Sequence, residues 1–174
     1  MIDHMQTRGA ALRVEERTFL VDSAKRTVID FRSQARMVNI GVEYGASIWC
    51  LLAGAPAAAI YAIDRSFSRL IGMPSVIRLE GRSQDSNIRR RVRSPLHLVF
   101  VDGSHEELDV RADAVNFDPK VITGGMLIFH DYHNPKEFAR IAGVARGVDS
   151  WFEEAQSVWA ELEAPGSIRA FHKV

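Results

Sequence analysis

The chain has a single cysteine, Cys50, among its 174 residues, which excludes an internal disulfide. Cys50 sits between Ile48 and Leu52 and is expected to pack as a small apolar residue, as a thiol does in a reducing compartment. No apolar run approaches the ~20 residues that a membrane helix requires, and the N-terminal stretch MIDHMQTRGAALRVEERTF lacks the apolar centre of a secretion signal. The expected location is cytoplasmic. Neither sign of charge is in excess: 22 basic and 22 acidic residues cancel, so no whole-molecule field draws the chain to nucleic acid or to an anionic membrane. Partners must therefore be recognised at local sites. Repeats, low-complexity tracts and flexible linkers are also lacking, and 47% hydrophobic residues suffice for the core of one domain.

Short apolar runs alternate with longer helix-patterned stretches. Residues 37–42 (MVNIGV), 58–64 (AAIYAID), 76–81 (VIRLEG), 96–102 (LHLVFVD) and 125–131 (GMLIFHD) read as strands bounded by Gly, Pro or Asp. Between them, Leu108, Ala112 and Val115 suggest one face of a helix that opens with Ser104 as N-cap and Glu107 as its capping-box partner. Phe138, Ile141, Ala145, Val148 and Phe152 suggest the face of a later helix. The alternation predicts a mostly parallel sheet between helices, an α/β fold. The expected layout is one domain: an N-terminal helical segment (1–36), a core (37–155) and a C-terminal antiparallel hairpin (156–174) turning at Pro165-Gly166.

In such a sheet ligands bind beyond the carboxyl ends of the strands. After the first run, Gly41 and Gly45 permit a tight turn with close backbone approach, and Ser47 begins the next helix; the spacing does not match the dinucleotide fingerprint. Asp64 ends the second run, where a carboxylate can accept both hydroxyls of a ribose, with Arg65 beside it. Ser83 and Gln84 follow the third, placed either to meet a purine edge or to form a turn. The fourth run ends on Asp102. His105 is then expected in the first helical turn, where the helix dipole disfavours imidazolium and keeps the ring available as a general base. The fifth delivers His130 and Asp131, which with Asp102 form an oxygen and nitrogen ligand set suited to Mg²⁺ or a similar divalent ion. The run RRRVR (89–93) reads as a solvated face, and Tyr44 and Trp49 as core or cleft packing.

The ordered segments NIGVEYGAS, IYAID, IRLEGRSQD, LVFVDGSH and GGMLIFHDYH resemble the class I S-adenosylmethionine-dependent methyltransferases, most of all the small O-methyltransferase-like group. The resemblance spans residues 37–133. It implies a Rossmann-like three-layer sandwich with a seven-stranded, mostly parallel sheet and an antiparallel C-terminal strand. It further implies that S-adenosyl-L-methionine lies across Gly41, Glu43, Gly45, Ser47, Asp64, Arg65, Ser83, Gln84 and Asp102. The metal ligands would be Asp102, His130 and Asp131, and the catalytic base His105. Asn39 departs from the group, which carries Glu or Asp there; Glu43 in the same turn is a possible substitute for the missing charge. The function this implies is methyl transfer to a small-molecule hydroxyl with divalent-metal assistance. Two alternatives stand beside it: a metal-dependent hydroxylase-like relative, and a non-catalytic cofactor-binding module. A homodimer is expected, since two-fold pairing is the commonest closed arrangement.

Overall fold

Runs of Val, Ile, Leu and Phe too short for helices become strands, and the Gly, Asp and Pro residues at their ends stop them. The computed structural model describes residues 12–31, 35–70, 76–133 and 141–174. Its strands are β1 (Arg36–Ile40), β2 (Ala59–Asp64), β3 (Ile77–Glu80), β4 (Leu96–Val101), β5 (Val121–Phe129), β6 (Trp159–Leu162) and β7 (Arg169–Lys173). Its helices are α1 (Val14–Phe31), α2 (Ala46–Gly54), α3 (Ser86–Arg91), α4 (Glu107–Phe117) and α5 (Ala142–Ala155). The strands form one sheet in the order β3-β2-β1-β4-β5-β7-β6, parallel except for β7, which runs antiparallel to both neighbours. This is the mixed seven-stranded sheet and terminal hairpin expected from the sequence.

Helices cover both faces, so the central strand β4 is buried along its whole length. On one face α1 and α2 pack Leu20, Ala24, Ile48 and Leu51 against Met37, Leu98 and Phe100. On the other, α4 and α5 pack Val110, Phe117 and Trp151 against Val99, Phe129 and Phe171. Cys50 is buried in the first layer, and burial pushes its thiol up to about 11, which suits an inert packing residue.

Three local expectations are corrected. Strand β5 begins at Val121, four residues before the predicted start, because the register slip between the Leu96–Val121 and Leu98–Met126 pairs absorbs the intervening Gly124 and Gly125. Helix α4 begins at Glu107 with Glu106 as N-cap, so the capping box does not form and His105 precedes the helix. Ser104 Oγ instead accepts the Glu106 amide at 3.2 Å, a local turn that competes with the cap. The predicted apolar face of α4 also points the wrong way: Leu108 is 79% exposed and Val115 43%, while Val110, Asp113, Ala114 and Phe117 are buried. A buried carboxylate at Asp113 disguised that stripe. In α5 the predicted Ala145 and Val148 are buried and Phe152 half-buried, with Trp151 and Ala155 completing the face; Phe138 lies outside the described residues.

Candidate functional site

The connection from β1 runs to one side of the sheet and that into β4 to the other, which opens a crevice at the carboxyl ends of these two adjacent strands. A cleft of about 380 Å³ occupies this place. Of the residues singled out in the sequence it is lined by Gly41, Glu43, Ser47, Asp64, Arg65, Ser83, Gln84, Asp102, His105 and Asp131. Gly45 and His130 do not line it. Gly45 adopts φ 83° at the N-cap of α2, and His130 is buried behind the cleft wall.

The β1 turn is shaped by backbone. Gly41 has φ 79°, and a Cβ there would overlap the Asp102 carbonyl, so only glycine lets this turn lie against the end of β4. Asp64 Oδ2 accepts the amides of Val42 (2.7 Å) and Glu43 (3.2 Å), and its Oδ1 accepts that of Ser66 (3.0 Å). The β2 carboxylate thus ties the turn down while facing the cleft. Glu43, itself at φ 44°, directs its carboxylate to Arg69 at 2.8 Å. Asn39 is fully buried beneath the turn: its Nδ2 donates to the Gly41 carbonyl at 2.6 Å, and its Oδ1 has no partner among the described residues. Tyr44 lines the cleft, whereas Trp49 is 45% exposed outside it, contrary to its reading as packing. In the arginine run, Arg90, Arg91 and Arg93 are exposed, as a solvated face requires, while Arg89 is half-buried and donates to Asn116 at 2.7 Å.

On the far wall, Gln84 Nε2 donates to Asp113 Oδ1 at 2.8 Å. Burial raises the Asp113 carboxyl to about 7, against hydrogen bonds from Ser83 and Gln84 that lower it. At the rim Arg82 pairs with Asp109 at 3.0 Å. Asp113 escaped the sequence reading because a carboxylate on a helix ordinarily marks its solvent side.

At the other end, three side chains from two strand ends converge. One ligand atom from each of Asp102, His130 and Asp131 lies within 4.8 Å of the others. Successive strand residues point to opposite faces, so His130 and Asp131 would normally diverge. Asp131 instead adopts φ 57°, a left-handed conformation that Asp tolerates, and both side chains reach the same place. His130 Nδ1 lies 3.2 Å from Asp102 Oδ1 and 3.5 Å from Asp131 Oδ1. Burial would lower the His130 pKa, but hydrogen bonds to Asp102 and Asp131 prevail and push it up to about 10. Burial raises Asp102, while contacts with His105 and His130 hold Asp131 well below the usual carboxylate range. Two carboxylates and one imidazole at this spacing suit an oxygen-preferring divalent ion, whose ligands at ~2.0–2.6 Å stand up to about 5 Å apart.

His105 stands beside this cluster, its Nε2 3.0 Å from Asp131 Oδ2. That hydrogen bond raises its pKa, where the sequence reading had a helix dipole keeping the ring neutral. A residue that the sequence reading missed lies behind His130: Glu16 of α1 is 1% exposed, with its Oε2 3.4 Å from His130 Nε2. Glu16 shares a buried stripe with Leu20, Ala24 and Thr27, a spacing that would have flagged an acid at a core position.

A family profile described as "Methyltransferase domain" matches residues 38–132. No curated protein matches the chain. Among solved structures, an O-methyltransferase from Bacillus cereus in complex with SAH superposes with a TM-score of 0.71 at 15% identity, over 98% of this chain and 86% of that one. The O-methyltransferase NovP gives 0.69 at 14% identity, over 91% and 80%. MycE, a methyltransferase of the mycinamycin biosynthetic pathway solved with Mg and SAH, gives 0.66 at 20% identity over 92% of this chain. The chain spans 55% of the MycE chain. These likenesses show the Rossmann-like methyltransferase fold.

Proposed function

The chain belongs to the methyltransferase-domain family, matching it over more than half its length, and from that premise we propose that it transfers a methyl group from S-adenosyl-L-methionine to the hydroxyl of a small molecule with the help of a divalent ion. The observation that carries this reading is the continuity of one cleft from the Gly41 turn, Asp64 and Gln84 to Asp102, Asp131 and His105. Asp64 would hold the ribose, Ser83 and Gln84 the adenine edge, and the Gly41–Ser47 turn the methionine moiety. Asp102, His130 and Asp131 would hold the ion. When bound, the donor supplies an electrophilic methyl group and the ion supplies positive charge beside the acceptor oxygen. Solved neighbours carry SAH, and MycE carries Mg with it and, in a second complex, mycinamycin VI, which supports this set of ligands.

The proton is the task of the chain's own residues. With His105 Nε2 engaged by Asp131, Nδ1 is the nitrogen left to take the acceptor's proton, and Asp131 orients the ring and stabilises the imidazolium that forms. Exposed Val14, Val28 and Ile29 on α1 support pairing of two copies; a concentration-independent monomer mass by light scattering would refute it. The central test is calorimetry with S-adenosylhomocysteine, followed by an acceptor screen with and without chelator. Binding together with chelator-sensitive transfer is expected. Absence of binding would remove the donor site as placed, and transfer that survives chelation would remove the ion. His105→Ala should lower turnover roughly 10²-fold with donor affinity intact.

A further inference from the structure

Glu16 is a carboxylate buried outside the cleft, only 1% exposed, on a helix that contributes no catalytic group. Its Oε1 accepts the Ser167 amide at 2.8 Å and the Ser167 hydroxyl at 2.9 Å. Its Oε2 accepts the Arg13 amide at 2.7 Å and faces His130 Nε2 at 3.4 Å. A Cβ at Gly166 would press on the same carboxylate, so the β6–β7 turn closes over it with no room to spare. Burying a carboxylate is costly unless every lone pair finds a donor. Three neutral donors nearly satisfy Glu16; the contact left over is the imidazole.

We infer that Glu16 is a positioning residue for the metal centre, the outer carboxylate of a carboxylate–histidine–metal relay that accepts a hydrogen bond from His130 Nε2–H and so leaves Nδ1 facing Asp102 and Asp131. The inference rests on the metal reading proposed above. A ligating histidine has one nitrogen for the ion and one for an outer acceptor, and the acceptor selects the tautomer and fixes the ring. Here the two ring nitrogens face different carboxylates on opposite sides: Nδ1 the Asp102–Asp131 pair at 3.2 and 3.5 Å, Nε2 the Glu16 oxygen. The ring itself is 3% exposed and packs near Phe100, so it cannot turn freely to exchange them. Ser167 and the relay use different oxygens of the one carboxylate, Oε1 for Ser167 and Oε2 for His130, so the two roles can be tested apart.

The test is titration of the intact chain with Mn²⁺, read by calorimetry and by the electron paramagnetic resonance signal of free Mn²⁺. Wild type should bind; Glu16→Gln should bind roughly tenfold or more weakly, the usual effect of losing an outer partner. Ser167→Ala loosens the anchor without touching Oε2 and should bind like wild type. If wild type does not bind Mn²⁺, the metal reading and this inference fall together. If wild type binds and Glu16→Gln binds as tightly, the metal reading stands and the role of Glu16 falls. Equal weakening in Ser167→Ala and Glu16→Gln would make the effect one of helix docking and overturn the relay. Should Glu16→Gln not fold, ¹⁵N spectra of Zn²⁺-loaded wild type decide: His130 must carry its proton on Nε2, and metal ligation through Nε2 would overturn the inference.

Discussion

Asp64 serves two masters, the amides of its own β1 turn and the proposed ribose. Because Val42, Glu43 and Ser66 donate to it directly, Asp64→Ala removes both a ligand contact and the brace that shapes the turn. Loss of S-adenosylhomocysteine affinity of about 1.5–3 kcal/mol by calorimetry is expected; unchanged affinity would mean the ribose lies elsewhere. Asp113 offers a test of a different kind. Burial places its folded-state pKa at about 7, above the ~3.9 of an unfolded chain. The folded protein therefore holds a proton that the unfolded chain releases, so the contribution of Asp113 to stability is full below about pH 4 and is lost as pH rises through 7. Asp113→Asn cannot titrate. Denaturant unfolding at pH 5 and pH 8 should show the wild type losing ground to Asp113→Asn by an order of 2 kcal/mol between the two. A constant difference would show that Asp113 is already ionised in the fold at pH 5.

At the scale of elements, what the sequence revealed followed from how strongly each segment declared its period. Strands β1, β2 and β4 are short, apolar and stopped by Gly or Asp, and they appear within two residues of their predicted bounds. Asp64, Asp102, His130 and Asp131 could be picked out for that reason: strand ends are where ligands meet an open sheet. Helix α4 is legible as a helix, but its buried face is not. Its buried face includes Asp113, its exposed face includes Leu108, and a polar group satisfied by Gln84 across 29 residues leaves no trace in local pattern. Glu16 was hidden in the same way, since its partners Ser167 and His130 lie 151 and 114 residues away. The α4–α5 contact explains where His105 sits. A Cβ at Gly143 would overlap the His105 carbonyl and crowd the Glu107 amide at 2.8 Å, so α5 reaches the 103–107 turn only as glycine. Alanine at position 143 gains about 1 kcal/mol of helix propensity yet must push that turn away. Turnover should fall roughly 10²-fold, as a displacement near 1 Å does, while S-adenosylhomocysteine affinity stays close to wild type. Parallel loss of both would place His105 in the donor site.

For the whole molecule, the site is a place where layers meet. Strands β1, β2 and β3 bring the turn, Asp64 and Gln84; β4 and β5 bring the carboxylates and imidazole; α1 and the β6–β7 turn close the back through Glu16 and Ser167. Among the described residues no helix is long and apolar enough to cross a membrane. Three carboxylates, those of Glu16, Asp102 and Asp131, surround the His130 imidazole, and hydrogen bonds to Asp102 and Asp131 raise its pKa against the effect of burial. An ion held by Asp102, His130 and Asp131, as proposed, would bind only when all these elements are assembled, and so would stabilise the fold by mass action. At 100 times its dissociation constant Mn²⁺ should contribute about 2.7 kcal/mol, or roughly 5–10 °C in thermal midpoint for a domain of this size. S-adenosylhomocysteine should add a separate increment of the same kind, because the residues proposed to hold it lie on the β1–β3 side of the cleft. Asp131→Asn should abolish the Mn²⁺ shift and retain that of S-adenosylhomocysteine. Differential scanning fluorimetry with each ligand alone and with both reads all of these at once; a variant that loses both shifts together would show that the two halves of the cleft are not independent.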